Sequence, residues 1–329
     1  MSVQPFVLIV ILNWNDAEET VQAVQSLSTI RYDNWRALVV DNGSTDGSLE
    51  RLLPLASENL EVVGVPENRG YTGGCNLGLH RGLEVGADYV WLLNNDAVAE
   101  TETLASLVQI AESDPGIGLL SPLITSLHDP DQIIIAGALF DRASRQHGDT
   151  HSIAIAKEWQ EKYPQGFIVH GTAMLVPARV IRAMGVLDDS LFAYYEDVEY
   201  SVRSIDHGFR NVVDWNTRVP HENKNYNRRP SEIRPHYWYY MARNEIRLWR
   251  QYLGWRSLQV NWWATSRFLI RRNLISDAVA RNAILTGLWH GWTGRKGPYN
   301  AAVGAPVFVR YLLDLYSRRP SLRKGLPTG

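Results

Sequence analysis

The chain has 329 residues, 45% hydrophobic and 21% charged, a composition that excludes a disordered polypeptide and leaves room for one large globular domain or two ordinary ones. Cys75 is the single cysteine, so an intramolecular disulfide and a zinc site built from thiolates are both excluded, in keeping with a reducing compartment. The net charge of −2 conceals a division: residues 1–225 hold 15 Lys and Arg against 31 Asp and Glu, while residues 226–329 hold 18 against 4 and carry seven of the 12 tryptophans.

The first 120 residues alternate β-branched runs with amphipathic stretches, as a mostly parallel sheet with crossover helices requires. Phe6 to Leu12 reads as the first strand. A helix follows from about Asn15, whose side chain is expected to cap it, with Glu18 and Glu19 in the first turn and Val21, Val24 and Leu27 along one face. Trp35 to Val40 is the second strand, Asp41 to Ser48 a polar turn opening another helix, and Leu60 to Val65 the third strand. The glycine-rich run from Glu67 to Gly78 leads into a helix that ends before an apolar strand, Tyr89 to Leu93. Antiparallel strands are expected at Ile133 to Ala138 and Phe167 to Val176, a helix at residues 177–186, where Pro177 suits a first turn, and long helices at residues 236–253 and 257–291. Asn, Arg and Pro interrupt the pattern between Asn225 and Pro235, which divides the chain into a body of residues 1–230 and a basic, aromatic tail of residues 231–329.

Asp96 follows the Tyr89 strand directly, in Leu93-Asn94-Asn95-Asp96. Ligands in open α/β sheets bind beyond the carboxyl ends of the strands, and hard divalent cations are held by one or two carboxylates plus phosphate oxygens, so Asp96 is a candidate metal ligand. The same tripeptide also suits a turn that bonds its own backbone. Asp41 and Asn42 end the second strand, where they suit the edge of a pyrimidine or the capping of the next helix. Asn68, Arg69, Gly70 and Gly74 open the glycine-rich helix, whose positive end suits phosphate, although close helix packing explains the glycines equally well. Their spacing matches neither the dinucleotide nor the P-loop pattern. Phe192 to Tyr200 sets Glu196, Asp197 and Glu199 among aromatics, a setting in which a carboxylate can be tuned to accept a proton from a hydroxyl. His221 is a candidate neutral imidazole ligand, which beside a carboxylate shifts preference from Mg²⁺ toward Mn²⁺.

Asn13-Trp14-Asn15, Val39 to Ser48, Asn68 to Gly78, Leu93 to Asp96, Gly171-Thr172-Ala173-Met174-Leu175 and Tyr195-Glu196-Asp197-Val198-Glu199 to Arg203 occur in an order that resembles the family 2 glycosyltransferases with the GT-A fold, most of all the rhamnosyltransferase and galactofuranosyltransferase branch. The resemblance covers about residues 5–250. It implies that Asn13, Asn15, Asp41, Asn42, Asn68, Arg69, Gly70, Gly74, Asn94 and Asn95 line a nucleotide-sugar site, with Asp41 on the base. It implies that Asn95 and Asp96 stand where the family carries D-x-D, that Asp96 and His221 bind Mg²⁺ or Mn²⁺, and that Asp197, with Glu196 beside it, serves an inverting transfer. Asn94 and Asn95 depart from the acids of many members and leave fewer charges for the cation.

The implied function is transfer of a sugar, L-rhamnose from a dTDP donor first, to a hydroxyl of a glycan or polyprenyl-linked saccharide in cell-surface polysaccharide synthesis. UDP donors of galactofuranose or an N-acetylhexosamine are the alternative, and a non-catalytic glycan-binding or scaffold protein is the alternative of another class. A nucleotidyltransferase would carry a basic glycine-rich loop near the first strand, and Val10 to Thr20 contain no basic residue. The tail contains no apolar run long enough to span a bilayer, so its Trp and Arg are expected to meet an anionic membrane surface, a second copy of the chain, or the body itself; nucleic acid is not expected as a partner. Met1 to Pro5 has no basic region and Phe6 to Leu12 is too short for a signal peptide, so the expected location is cytoplasmic, peripheral on the inner face of the cytoplasmic membrane.

Overall fold

The computed structural model describes residues 4–222, 232–273 and 275–317. The chain divides into two compact units, one formed by Met1–Asp189 with Glu196–Asn223, the other by Ser190–Tyr195 with Lys224–Gly329. The expected junction between Asn225 and Pro235 lies largely outside the described residues.

In chain order the first unit contains β1 (Val7–Asn13), α1 (Ala17–Ser26), β2 (Trp35–Asn42), α2 (Ser48–Leu52), β3 (Leu60–Val65), α3 (Gly70–Glu84), β4 (Tyr89–Asn94), α4 (Thr103–Ser113), β5 (Ile117–Ser126), β6 (Ile133–Ile135), β7 (Gly137–Asp141), β8 (Gln146–Thr150), α5 (Ile153–Lys162), β9 (Phe167–Ile168), β10 (Ala173–Pro177), α6 (Ala178–Met184), α7 (Glu196–Asp206) and β11 (Arg210–His221). The main sheet runs β11-β5-β10-β4-β1-β2-β3, with β6 paired to β5, and β8-β7-β9 form a small second sheet. Strands β1 to β4 are parallel, and β10 lies antiparallel between β4 and β5.

Helices on both faces let β1 read as a continuous apolar run rather than an alternating one. Val7, Ile9 and Ile11 join one core with Trp91 and Leu93 of β4 and Leu104 and Leu107 of α4. Leu8 and Val10 join the opposite core with Leu38 and Val40 of β2, Leu79 of α3, Ile181 of α6 and Tyr200 of α7. Each such fully buried side chain contributes about 1.5–3 kcal/mol. Helix α3 approaches the sheet through Gly74, Gly78 and Gly82, where an added Cβ would fall 2.3 Å from Leu12 Cδ1, Val10 Cγ1 and Val90 Cγ2 respectively.

The expected strand from Phe167 to Val176 is interrupted: β9 ends at Ile168 and β10 begins at Ala173. The residues between them form a loop whose Thr172 carbonyl accepts the backbone N–H of Asn94. Asn15 does not cap α1. It takes a left-handed φ of 54°, and its Oδ1 accepts the Thr45 N–H at 2.8 Å, so a partner across the β1–β2 edge wins over the local one.

The second unit consists of α8 (Pro235–Leu253), α9 (Leu258–Asn273), α10 (Ala278–Thr293) and α11 (Val307–Ser317), with residues 190–195. The single helix expected over residues 257–291 is two, because Asp277 accepts the N–H groups of Val279 and Ala280 and starts α10 afresh. The Asn244 amide donates to the carbonyls of Leu191, Ala193 and Tyr194 at 3.1, 2.8 and 2.8 Å. These bonds hold a segment in which Phe192, Tyr194 and Tyr195 take positive φ. Tyr195 donates its hydroxyl to Glu245 at 2.9 Å, and Glu245 also pairs with Arg267. Trp255, Leu258, Trp262 and Trp263 on one side, and Val307, Phe308, Tyr311, Leu312 and Leu315 of α11, stand exposed. No helix among the described residues is long and apolar enough to cross a membrane.

Candidate active site

Parallel pairing in register brings the ends of β1, β2 and β4 level, so residues far apart in sequence meet in one row. Asn13 lies opposite Asp41, and its Nδ2 donates to Asp41 Oδ2 at 2.7 Å. Asp41 Oδ1 accepts the Ser44 N–H at 3.1 Å, so each oxygen of a carboxylate only 1% exposed accepts one bond and keeps a second lone pair. Thr20 of α1 donates to Asn13 Oδ1 at 2.7 Å and accepts from Asn95 Nδ2 at 3.2 Å. Asn95, Thr20, Asn13 and Asp41 thus form one chain of hydrogen bonds. Thr20 carried no signal in sequence, because its position on a helix facing a strand end is a tertiary fact.

Asn42 spends its amide on the neighbouring loop: Nδ2 donates to Asn68 Oδ1 at 3.1 Å and to the Gly70 carbonyl at 2.9 Å, and Oδ1 accepts the Arg69 N–H at 3.1 Å. Asn68 Oδ1 also accepts the Gly70 N–H at 2.7 Å. Asn42 therefore shapes the start of α3, and Arg69 is left exposed there. Gly74, expected to border a ligand, faces Leu12 instead; the missing side chain serves helix packing.

At the end of β4, Asp96 Oδ1 and His221 Nε2 are 2.9 Å apart. They meet because the end of β11 folds back along residues 96–98: Ala97 bridges His221, Glu222 N–H donates to the Asp96 carbonyl at 2.8 Å, and Val98 N–H to Pro220 at 2.9 Å. Two neighbouring ligands on an octahedral ion with bonds of about 2.1 Å lie about 3.0 Å apart, close to the separation of this oxygen and nitrogen. Among the described residues no cluster of three His, Cys, Asp or Glu side chains offers a complete protein cage. A cation here would take its remaining ligands from phosphate and water, the usual manner for Mg²⁺. An imidazole in the set favours Mn²⁺.

Asp197 sits in the first turn of α7, where a carboxylate is favoured by the helix dipole. Its Oδ2 accepts the Gly171 N–H at 3.1 Å and its Oδ1 the Val198 N–H at 2.8 Å. Gly171 eases this approach, since a Cβ there would lie 3.2 Å from Asp197 Cβ, a tight contact. The Tyr71 hydroxyl spans Asn94 Oδ1 at 3.0 Å and the Gly171 carbonyl at 3.3 Å, which ties the end of β4 to the loop that holds Asp197. Burial first, then the charges around it including Glu196 and Asp197, keeps the Tyr71 hydroxyl protonated far above its ordinary range. Burial does the same for the Cys75 thiol. Glu196 thus acts on Tyr71 and Cys75.

His170 lies in the same loop and no motif drew attention to it. Burial lowers its pKa, against the opposing charge of Asp197, and His221 and Asp96 also act on the ring. One imidazole thus feels the proposed cation ligands and Asp197 together. Asp197 is linked to the end of β4 through Gly171, Tyr71 and Asn94, two residues before Asp96. Asp96, Asp197 and Glu196 would repel a diphosphate unless a cation intervenes.

A model of glycosyl transferase family 2 matches residues 8–182. Among curated proteins, the low-salt glycan biosynthesis hexosyltransferase Agl10 of Haloferax volcanii is 26% identical over 200 residues, 60% of this chain and 60% of that protein. The galactofuranosyltransferase GlfT1 of Mycobacterium tuberculosis is 28% identical over 176 residues, 52% of this chain and 55% of that protein. The chain spans about half the length of the curated relatives it matches. Among solved structures, a mannosyltransferase, PcManGT from Pyrobaculum calidifontis, in complex with GDP-Man and Mn²⁺ superposes with a TM-score of 0.56 at 15% identity, over 98% of this chain and 83% of that one. GalNAc-T7 with UDP, GalNAc and Mn²⁺ gives 0.60 at 15% identity, over 82% and 51%. At such identity the two structures show a shared fold.

Proposed function

The chain belongs to glycosyl transferase family 2 and has the GT-A fold, and from that premise we propose that it is a metal-dependent, inverting glycosyltransferase that takes its sugar from a nucleoside-diphosphate donor. The observation that carries the reading is the 2.9 Å pairing of Asp96 with His221 at the end of β4. Asp96 and His221 would hold Mn²⁺ or Mg²⁺, which when bound offsets the charge of the departing diphosphate. The complexes of the mannosyltransferase and of GalNAc-T7 both contain Mn²⁺, which supports a divalent cation here.

In this reading Asp41, set by Asn13 and Ser44, receives the base edge, with Asn15, Asn94 and Asn95 around the nucleoside and its sugar. The start of α3, shaped by Asn42 and Asn68, offers the exposed side chain of Arg69 to phosphate. Asp197 accepts the proton of the acceptor hydroxyl as its oxygen bonds to the anomeric carbon and the bond to the diphosphate breaks, which inverts that centre. Two backbone N–H groups keep Asp197 oriented before the acceptor arrives. Glu196 acts beside it through Tyr71 rather than as the base.

The donor is read as dTDP-rhamnose first, with a UDP donor of galactofuranose or N-acetylhexosamine as the alternative; the GlfT1 relatives favour the galactofuranose form. The acceptor is read as a glycan or polyprenyl-linked saccharide. The exposed Trp and Leu side chains of the second unit, in a stretch with 18 basic against 4 acidic residues, suit the anionic inner face of a cytoplasmic membrane, and self-association through the same side chains is the competing use. Sedimentation with anionic vesicles, against light scattering in their absence, separates the two. For the catalytic reading the test is thermal unfolding with dTDP- and UDP-sugars, with and without Mn²⁺. A Mn²⁺-dependent rise with one sugar nucleotide is expected, and no rise with any of them would refute the reading.

A further inference from the structure

We propose that His170 donates its Nε2–H to an oxygen of the sugar being transferred, and so helps to choose the donor; this rests on the transferase reading above. The backbone N–H of Thr172 lies 3.3 Å from His170 Nδ1, and the Thr172 hydroxyl lies 2.8 Å from the same atom. An amide N–H can only donate, so Nδ1 is an acceptor and carries no hydrogen. The proton of the neutral ring therefore sits on Nε2, and neither nitrogen has a lone pair left for a metal. Among the described residues Nε2 makes no hydrogen bond, and it is not among the enclosed side-chain atoms that lack one, so it keeps solvent contact and a hydrogen to donate.

The charged or titratable groups that act on the ring are Asp197, His221, Asp149 and Asp96. His221 and Asp96 mark the diphosphate end of the reaction and Asp197 the acceptor end. In a direct displacement the sugar lies between leaving group and nucleophile, and His170 borders that span: the next residue, Gly171, gives its N–H to Asp197 Oδ2 at 3.1 Å, and its carbonyl lies 3.3 Å from the Tyr71 hydroxyl, which is 3.0 Å from Asn94 Oδ1. A single N–H there meets the hydroxyl or ring oxygens of the sugar.

The test is isothermal titration in the presence of Mn²⁺ with dTDP and dTDP-rhamnose, and with UDP, UDP-galactofuranose and UDP-N-acetylglucosamine, on the whole chain and on H170F and H170Q. The expected result is that H170F weakens the preferred sugar nucleotide about fivefold, the effect of one neutral hydrogen bond, while dTDP and UDP bind as before. H170Q, which keeps an N–H near the position of Nε2, is expected to restore most of the loss. Unchanged affinity for the sugar nucleotide, or an equal loss for the bare diphosphate, would overturn the assignment while leaving the transferase reading intact. If the unaltered chain binds no nucleotide at all, both fall. Independently of any variant, long-range proton–nitrogen correlation spectra of the unaltered chain should show His170 as the Nε2–H tautomer, and an Nδ1–H ring would overturn the proposal.

Discussion

The strand ends of the first unit and the helices of the second both bury charge, with different residues and to different ends. At the strand ends the side chains are short: Asn13, Asp41, Asn42 and Asn94 are placed by backbone register, and Asn95 and Asp96 by the turn that follows β4. In the helices they are long. Arg243 is fully buried and donates to the Leu191 and Gly297 carbonyls, and Glu245 takes both Tyr195 and Arg267. Short groups on a rigid sheet are positioned for chemistry with little entropy left to lose, whereas long groups saturated by partners specify packing. Damage to the first network should therefore cost turnover, and damage to the second should cost stability.

The largest effect is expected at Asp197. Asp197→Asn should lower turnover about 10²- to 10⁴-fold, the usual range for a general base, with sugar-nucleotide affinity and melting temperature kept; turnover near that of the unaltered chain would remove the first half of the contrast. Asp96→Ala comes next. It leaves His221 without its oxygen partner, and turnover should fall about 10²-fold while the Mn²⁺-dependent part of the thermal shift disappears. In the second unit, Glu245→Ala strands Tyr195 and Arg267. Because Arg267 is about one-third exposed, 36%, the cost should be about 2–3 kcal/mol, below that of a fully buried pair, read by denaturant unfolding with donor affinity unaltered.

The smallest effect is a pH dependence. Burial, followed by the charges of Arg295 and Arg243, holds the His290 imidazole down to about 4, below its ordinary 6.5, and its Nδ1 is 2.8 Å from the Tyr239 hydroxyl. Between those two pH values the unfolded chain binds a proton that the folded chain refuses. Stability from this group is complete above about pH 6.5 and declines as pH falls toward 4. His290→Gln should flatten that part of a melting-temperature profile, and an unchanged slope would show that His290 does not set it.

Much of the first unit is legible in sequence because its signals are local. A buried apolar run ended by Asp96 or by Asp41 announces a strand end, and β3 spans Leu60–Val65 as its β-branched run predicts. What sequence misses depends on partners brought from afar. Asn15 has the residue type of a helix cap, yet it bonds Thr45 across the edge of the next strand. Tyr71 and His170 look like ordinary core residues until folding sets them beside Gly171 and Asp197. The break between α9 and α10 was legible in Ser276-Asp277, but apolar spacing on both sides hides a cap that interrupts it.

The glycine row of α3 sets a limit on how this cleft can diverge. With Gly74, Gly78 and Gly82 pressed to within bonding-scale distance of where side-chain carbons would go, the helix rests on β1 and β4 at atomic contact, and its first turn at Gly70 has no inward travel left. The height of α3 over the sheet is therefore fixed by atomic radii. A descendant enzyme that accepts a bulkier nucleotide or sugar has to make room by trimming residues at the mouth, since a helix already at its closest approach cannot retreat without emptying the core behind it.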